Sequence, residues 1–200
     1  MTTEILVRKR TVKYERDFLG QLLIDLRGLR GFITVLNELI QNAEDAAATD
    51  FHADICDDAL WIGNNSIFED EHLKAIMKIG SGSKRNDAEK IGTFGLGFVS
   101  VYQYADTAIL ICRNEMHVFS PLEQQVTVES APTELERWQT TFKLPWAFEN
   151  SELREKLDID PVRPEQLQGF LEEAQETLEE TVLFLEKLEN INLYRNGDPF

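Results

Sequence analysis

Apolar and polar residues recur with helical spacing between residues 36 and 46, a stretch that reads LNELIQNAEDA. At about 100° per residue, the side chains of Glu38, Asn42 and Asp45 fall at roughly 0°, 40° and −20° around the predicted helix. Leu36, Leu39, Ile40 and Ala43 point to the opposite side. The pattern predicts a helix that packs on a core and presents a carboxylate and a carboxamide. Taken alone, the stretch fits a helix with a solvated polar face equally well.

The rest of the chain contains further stretches with the spacing of helices or of strands. Helical spacing recurs at residues 17–29 and 69–79, and in an acidic stretch from residue 164 to about 189. A loop is expected at residues 63–66, and a helix should begin at Phe98. Short apolar runs predict strands, and the first two form a hairpin. The predicted strands cover residues 51–56, 59–63, 107–113, 115–120, 125–129, 140–144 and 191–194.

Helices grouped apart from a run of strands, without regular alternation, indicate an α+β fold with an antiparallel sheet. A length of 200 residues with 42% hydrophobic residues is typical of one globular domain. We therefore expect a single domain over residues 1–200, with its core at about 17–145 and an acidic helical extension at 149–200. Because the sequence finishes on a turn signal, we expect it to be the N-terminal part of a longer protein.

The net charge of −16 argues against a general affinity for nucleic acid, so we expect no direct nucleic acid binding by this fragment. No apolar run approaches the roughly 18 residues of a membrane span, and no secretory signal is recognisable. We therefore expect no membrane association and a cytoplasmic location. Cys56 and Cys112 lie far apart in apolar contexts, which predicts buried thiols and leaves a disulfide as the alternative.

Five of the eleven glycines fall between residues 80 and 97, which indicates a backbone that bends sharply or closely approaches a ligand. This glycine-rich stretch follows the Glu38 helix and the predicted hairpin in a fixed order. The order resembles the GHKL family of Bergerat-fold ATPases, and within it the ninety-kilodalton heat-shock chaperone and, more closely, the sacsin N-terminal type. The similarity rests on IGTFGLGFVSVY at residues 91–102 and NNSIF at residues 64–68.

The resemblance implies a Bergerat fold, a two-layer sandwich of an antiparallel-rich mixed sheet with helices on one face. It also implies ATP or ADP with Mg²⁺ as cofactors. Glu38 stands at the position of the general base that orients the attacking water. Asn42 matches the asparagine that ligates Mg²⁺, whose preference for oxygen ligands suits a carboxamide. Asp45 matches a third motif position that orients neighbours or lines the pocket.

The glycine-rich loop would contact phosphate through backbone N–H groups and the start of the following helix. The resemblance assigns nucleotide contacts in this loop to Gly92, Phe94, Gly95, Leu96, Gly97 and Phe98. Lys84 or Lys90, in the lid expected between residues 80 and 92, would reach a phosphate. Thr140 matches a late threonine on a strand beneath the adenine.

One position departs from the family pattern. Most members carry an aspartate followed by glycines after the second strand, where the carboxylate accepts the adenine amino proton. Residues 62–66 instead read IGNNS, so that Asn64 takes this position. An amide oxygen still accepts that hydrogen bond, but a carboxamide is neutral and its NH₂ group could be presented instead. Adenine selectivity is the expectation that this difference weakens most.

The leading hypothesis is Mg-dependent ATP binding with slow hydrolysis, which makes this domain a nucleotide-controlled switch of a larger sacsin-like or chaperone-like protein. The expected partners are the nucleotide and further domains of the same polypeptide, and the resemblance allows a nucleotide-dependent dimer. One alternative is a degenerate scaffold that serves as an interaction module. Another is an ATPase module of a DNA-processing or phage-defence protein.

Overall fold

The computed structural model describes residues 9–13, 18–28, 31–77, 97–181 and 185–200. These residues form one sheet with helices packed on it. The strands are β1 Arg10–Lys13, β2 Asp50–Ile55, β3 Ala59–Asn64, β4 Ala108–Cys112, β5 Glu115–Ser120, β6 Gln125–Ser130, β7 Thr140–Pro145, β8 Asn190–Arg195 and β9 Asp198–Pro199. The α-helices are α1 Phe18–Leu26, α2 Phe32–Asp45, α3 Asp70–Met77, α4 Glu152–Leu157 and α5 Gln166–Thr181. Two 3₁₀ helices cover Phe98–Gln103 and Thr133–Leu135.

The strands of the sheet follow the order β1-β6-β5-β4-β7-β3-β2-β8-β9. All neighbours run antiparallel except β2 and β8, which are parallel. The predicted hairpin is confirmed, because β2 and β3 pair antiparallel with Ile55 opposite Leu60. The chain therefore has a mixed α/β fold built on a mostly antiparallel sheet.

The two faces of the sheet lie in different surroundings because successive side chains of a strand point to opposite sides. In β3, Leu60 and Ile62 belong to the main core, to which each described α-helix contributes apolar residues. Ala59 and Trp61 belong to a smaller cluster on the other face, where residues 131–138 pack on the sheet. We call these the helix face and the far face. The helix face places α2 close to β3 and β7.

The end of β3 and the helix α4 differ from the sequence-based expectations. Asn64 is the last residue of β3 and pairs with Thr140 of β7, so the loop predicted at 63–66 begins later. Helix α4 was not predicted. It begins after Ser151, whose hydroxyl accepts a hydrogen bond from the Arg154 N–H at 3.2 Å, and it ends at Asp158 with a φ of 55°. A single turn and a half of helix carries too little periodicity to be detected from the sequence.

The long acidic helix expected to reach residue 189 is wrong at its C-terminal end. Residues 185–189 are not helical. The backbone N–H groups of Glu186, Lys187 and Leu188 donate to the Glu44 carboxylate instead of to carbonyls of a preceding helical turn. The strand expected at 191–194 and the following turn are confirmed by β8 and β9.

Both cysteines are free, buried thiols, as the sequence predicted. Cys112 belongs to the main core and Cys56 to the far-face cluster, so the sheet separates them and the disulfide alternative is wrong. No helix in the described part of the chain combines the length and apolar character that crossing a bilayer requires.

Candidate functional site

Helix α2 forms one wall of the candidate site. It begins after Gly31, whose φ of 98° lies in the left-handed region that glycine adopts readily. The predicted two-sided pattern is confirmed, because the apolar side is buried while Glu38 and Asn42 are partly exposed and Asp45 is exposed. The buried apolar residues are Phe32, Val35, Leu36, Leu39, Ile40 and Ala43. Apolar packing therefore fixes which way the polar residues point.

A small pocket lies between α2 and the helix face of β3 and β7. Its polar lining consists of Asn42 from α2, Asn64 from β3, Ser66 from the loop after β3, and Thr140 from β7. Its apolar lining consists of Leu39, Ala46, Ile62, Ile67, Phe68 and Phe142. The cavity volume is about 20 Å³, which is room for about one water molecule. The structure thus brings together three of the predicted site residues, Asn42, Asn64 and Thr140.

A chain of hydrogen bonds organises the polar lining around Ser66. The Ser66 N–H donates to Oδ1 of Asn64 at 2.9 Å, and the Thr140 hydroxyl donates to the Ser66 carbonyl at 2.7 Å. The Ser66 hydroxyl in turn donates to the carbonyl of Ala46, near the end of α2, at 2.6 Å. Because Oδ1 of Asn64 has two lone pairs, it keeps capacity to accept a second hydrogen bond.

Glu38 and Gly97 are in direct contact. A Cβ atom built on Gly97 would lie well under 3.0 Å from the Glu38 carboxylate, so any other residue would displace this side chain. Gly97 caps the N-terminus of the 3₁₀ helix Phe98–Gln103 and has φ −68° and ψ −35°, a conformation open to all L-residues. Glycine is therefore required here for space rather than for backbone conformation.

Burial raises the pKa of the Glu38 carboxyl above its ordinary value of 4.5. A partly buried carboxylate loses hydration, and no hydrogen bond from a described residue contributes to the shift at Glu38. A raised pKa increases the affinity of a carboxylate for a proton, which is the property that a general base needs.

Four of the predicted residues that the structure describes lie outside the pocket lining, namely Glu38 and Gly97 together with Asp45 and Phe98. Asp45 is exposed, and its Oδ1 accepts a hydrogen bond from Nε2 of Gln41 at 2.9 Å. Phe98 is only 1% exposed and belongs to the main core, where its ring lies 5.5 Å from that of Phe142 and 5.7 Å from that of Phe119. These positions give Asp45 a local helical partner and Phe98 a packing role.

The remaining predicted contacts lie outside the described residues. They are Lys84, Lys90, Gly92, Phe94, Gly95 and Leu96. The predicted Mg²⁺ ligand Asn42 has no carboxylate cluster around it: in the part of the chain that the structure describes, no group of three or more His, Cys, Asp or Glu could hold a metal ion.

Sequence reasoning missed Ser66, although it lies within the NNSIF motif, because a serine in a loop has no periodic signal. It also missed Trp138, whose indole covers Gly63 on the far face and stacks on His52 with ring centroids 5.0 Å apart. Glu44 was missed as well. It is 7% exposed and accepts backbone hydrogen bonds from residues far along the chain.

Comparison with known proteins relates a central part of this chain to sacsin. Residues 50–139 match the family described as "SACS: Sacsin domain". The chain is also 36% identical to human Sacsin in an alignment of 107 residues that covers 44% of this chain and 2% of Sacsin. The chain thus spans a small fraction of the length of this relative.

These matches support a sacsin-related module. The residues that match the family include Asn64 and Gly97, whereas Glu38 and Asn42 precede them and Thr140 follows them. The association of α2 with the matched segment consequently rests on the contact between Glu38 and Gly97 and on the shared pocket lining.

Proposed function

We propose that this chain is a GHKL-type, Bergerat-fold module that binds ATP or ADP with Mg²⁺ and hydrolyses ATP slowly. The observation that carries this proposal is the contact between the Glu38 carboxylate and Gly97, which leaves space for a carboxylate only because residue 97 lacks a side chain. In this arrangement the proposed base lies beside the end of the glycine-rich loop. A general base and a phosphate-binding backbone segment are the two parts that slow phosphoanhydride hydrolysis needs.

The donor set of the pocket supports a nucleotide as its ligand. Asn64 and Thr140 lie on adjacent strands of one sheet face and would hold the base. Asn42 lies one helical turn from Glu38 and would ligate Mg²⁺ through its amide oxygen. When bound, Mg²⁺ neutralises charge on the phosphate oxygens. Glu38 would orient water and accept its proton, and the lack of hydrogen bonds from described residues leaves its carboxylate available.

The small cavity volume sets a condition on this proposal. A space of about 20 Å³ is too small for a purine, so the apolar lining has to move when a base enters. Ile67 is 50% exposed at this lining and is free of the tight packing that holds its neighbour Phe68. Binding coupled to such a movement would act as the conformational switch of a larger sacsin-like or chaperone-like protein.

Calorimetry with Mg-ADP and Mg-ATP tests binding directly. We expect binding by the wild type and about tenfold weaker binding, or about 1.4 kcal/mol, in Thr140→Val, which loses the hydroxyl that holds the loop after β3. Thr141→Val is the matched control, since the adjacent Thr141 bonds to Trp138 on the far face. Absence of heat and of a thermal shift at millimolar nucleotide would exclude the proposal. Equal losses in both variants would place the base elsewhere.

Phosphate release tests the role of Glu38. Glu38→Gln should keep the affinity for Mg-ADP and lose hydrolysis, because a carboxamide is not a base at neutral pH. Glu172→Gln is the control, since Glu172 is an exposed carboxylate on α5 that accepts a hydrogen bond from Gln168. Unchanged turnover in Glu38→Gln would remove this residue from the role.

A second candidate is a degenerate scaffold that binds nucleotide or a partner without hydrolysis. The small volume of the cavity and the exposed, locally paired Asp45 favour it. Nucleotide binding by the wild type together with no phosphate release, even in a longer polypeptide that contains this chain, would select the scaffold over the ATPase.

A further inference from the structure

Glu44 is a buried carboxylate held by three successive backbone N–H groups. Its Oε1 accepts hydrogen bonds from the N–H of Glu186 at 2.9 Å and of Lys187 at 2.8 Å, and its Oε2 accepts one from Leu188 at 2.9 Å. The Lys187 ammonium also donates to the backbone carbonyl of Glu44 at 3.2 Å. These bonds join the last turn of α2 to a segment more than 140 residues later.

The position of the Glu44 carboxylate near the C-terminus of a helix is electrostatically unfavourable. It lies in the last turn of α2, where the negative end of the helix dipole opposes a negative charge. Burial also removes hydration from this carboxylate, and the N–H groups of Glu186, Lys187 and Leu188 supply the hydrogen bonds that replace it. Among the described residues, the hydrogen bonds that stabilise the carboxylate thus come from the segment that it holds.

The same helix carries the proposed catalytic side chain. Glu38 precedes Glu44 by six residues, which corresponds to about 9 Å along the axis and roughly 120° around it. Apolar packing fixes which side of α2 faces the core, but hydrophobic attraction is itself non-directional. Three charge-assisted hydrogen bonds at one end have defined directions and therefore constrain the rotation and axial position of the helix.

A second contact supports this view. The Thr181 hydroxyl, at the end of α5, lies 3.4 Å from Oδ1 of Asn37, next to Glu38. Residues 188–190 then lead into β8, which pairs in parallel with β2, and β2 pairs with β3 of the pocket. The segment held by Glu44 is therefore anchored to the same sheet that carries Asn64.

We propose that Glu44 is a positioning residue that fixes the rotation and axial position of α2, and thereby holds the Glu38 carboxylate against Gly97. This inference deepens the proposed function because it concerns the same site, but the geometry that it explains is that of the protein without ligand. It predicts that nucleotide binding and the order of residues 186–188 influence each other.

The test measures the titration of the Glu38 carboxyl by NMR in the chain without nucleotide. In the wild type its pKa should lie above 4.5, and in Glu44→Gln it should fall toward 4.5, because a displaced α2 exposes the carboxylate to solvent. Ser151→Ala is the control, since it removes the cap of α4 and lowers stability without touching α2. An unchanged Glu38 titration in folded Glu44→Gln would overturn the inference.

A second variant and a second readout keep the test decisive. If Glu44→Gln does not fold, Glu44→Asp keeps the charge but shortens the side chain by one methylene, so it should lose part of the same effect. Where nucleotide binds, we expect Glu44→Gln to lower kcat about tenfold and to raise KM by a smaller factor, because α2 carries Glu38 and the proposed Mg²⁺ ligand Asn42, whereas Asn64 and Thr140 lie on strands. A wild type that shows no binding but a Glu44-dependent Glu38 titration would refute the proposed function and retain this inference.

Discussion

Gly63 and Gly97 face crowded surroundings on opposite sides of one sheet. Gly63 contacts a side chain that supports the fold, whereas Gly97 contacts the proposed catalytic carboxylate. On the far face, a Cβ atom at Gly63 would lie 2.7 Å from Cγ of Trp138 and closer still to the six-membered ring. On the helix face, a Cβ atom at Gly97 would overlap the Glu38 carboxylate. At both positions another side chain occupies the space that a Cβ atom would need.

The two contacting side chains differ in how easily they can move. The Trp138 indole stacks on His52. The backbone N–H of Trp138 donates to the Thr141 hydroxyl at 3.0 Å, and this hydroxyl donates to the Trp138 carbonyl at 3.1 Å. The Glu38 carboxylate is the end of a flexible side chain at the surface of a helix. Substitution at Gly63 should therefore damage the fold, whereas substitution at Gly97 should damage the site.

Gly63→Ala should lower the free energy of unfolding by about 1–3 kcal/mol, since the whole indole has to shift to admit a methyl group. The measurement is urea denaturation monitored by circular dichroism. The double variant Gly63→Ala/Trp138→Ala should be less destabilised than the sum of the two single variants, because the clash needs both partners. Strict additivity would show that the indole does not cause the loss.

Gly169→Ala should instead raise the free energy of unfolding by about 0.5–1 kcal/mol. Gly169 lies within α5, and a Cβ atom there would meet nothing within 4 Å. The same substitution thus has the opposite sign when the space is empty. A destabilised Gly169→Ala in the same denaturation experiment would contradict this account of the helix.

Gly97→Ala should change the free energy of unfolding by less than about 0.5 kcal/mol, because Glu38 can swing aside and the backbone conformation suits alanine. On the proposed function, hydrolysis should fall about 100-fold as the base is displaced, with folding retained. A thermal melt and a phosphate-release assay on one preparation measure both effects. A strongly destabilised variant would make Gly97 a packing glycine like Gly63.

Glu38→Gln should give the smallest change in stability, and one that depends on pH. Because burial raises the pKa of Glu38 in the folded state, the unfolded chain ionises first as pH rises above 4.5. Wild-type stability should therefore fall relative to Glu38→Gln from about pH 4.5 upward and level off above the folded-state pKa. The change is small because Glu38 is partly solvated. Paired melts between pH 4 and 8 measure it, and the reverse trend would contradict the burial of this carboxyl.

The sequence predicted much of the candidate site because its signals are local. The polar face of α2, the hairpin and the strand that begins at Thr140 each follow from the spacing of a few residues, and the structure confirms them. Asn64 was expected in the loop after the second hairpin strand, but it is the last residue of that strand and pairs with Thr140. The acidic helix was overextended because its apolar spacing continues past Thr181 into residues that bond to Glu44.

The amino-acid sequence by itself determined which residues of α2 face outward, because helical periodicity depends only on neighbours within two turns. Tertiary structure decided what those residues meet. It set Gly97 against Glu38, placed Trp138 behind Gly63, and joined Glu44 to residues 186–188, through contacts between segments that are distant in the chain. Such contacts have no period along the sequence, and only the packing of the helices on the sheet specifies them.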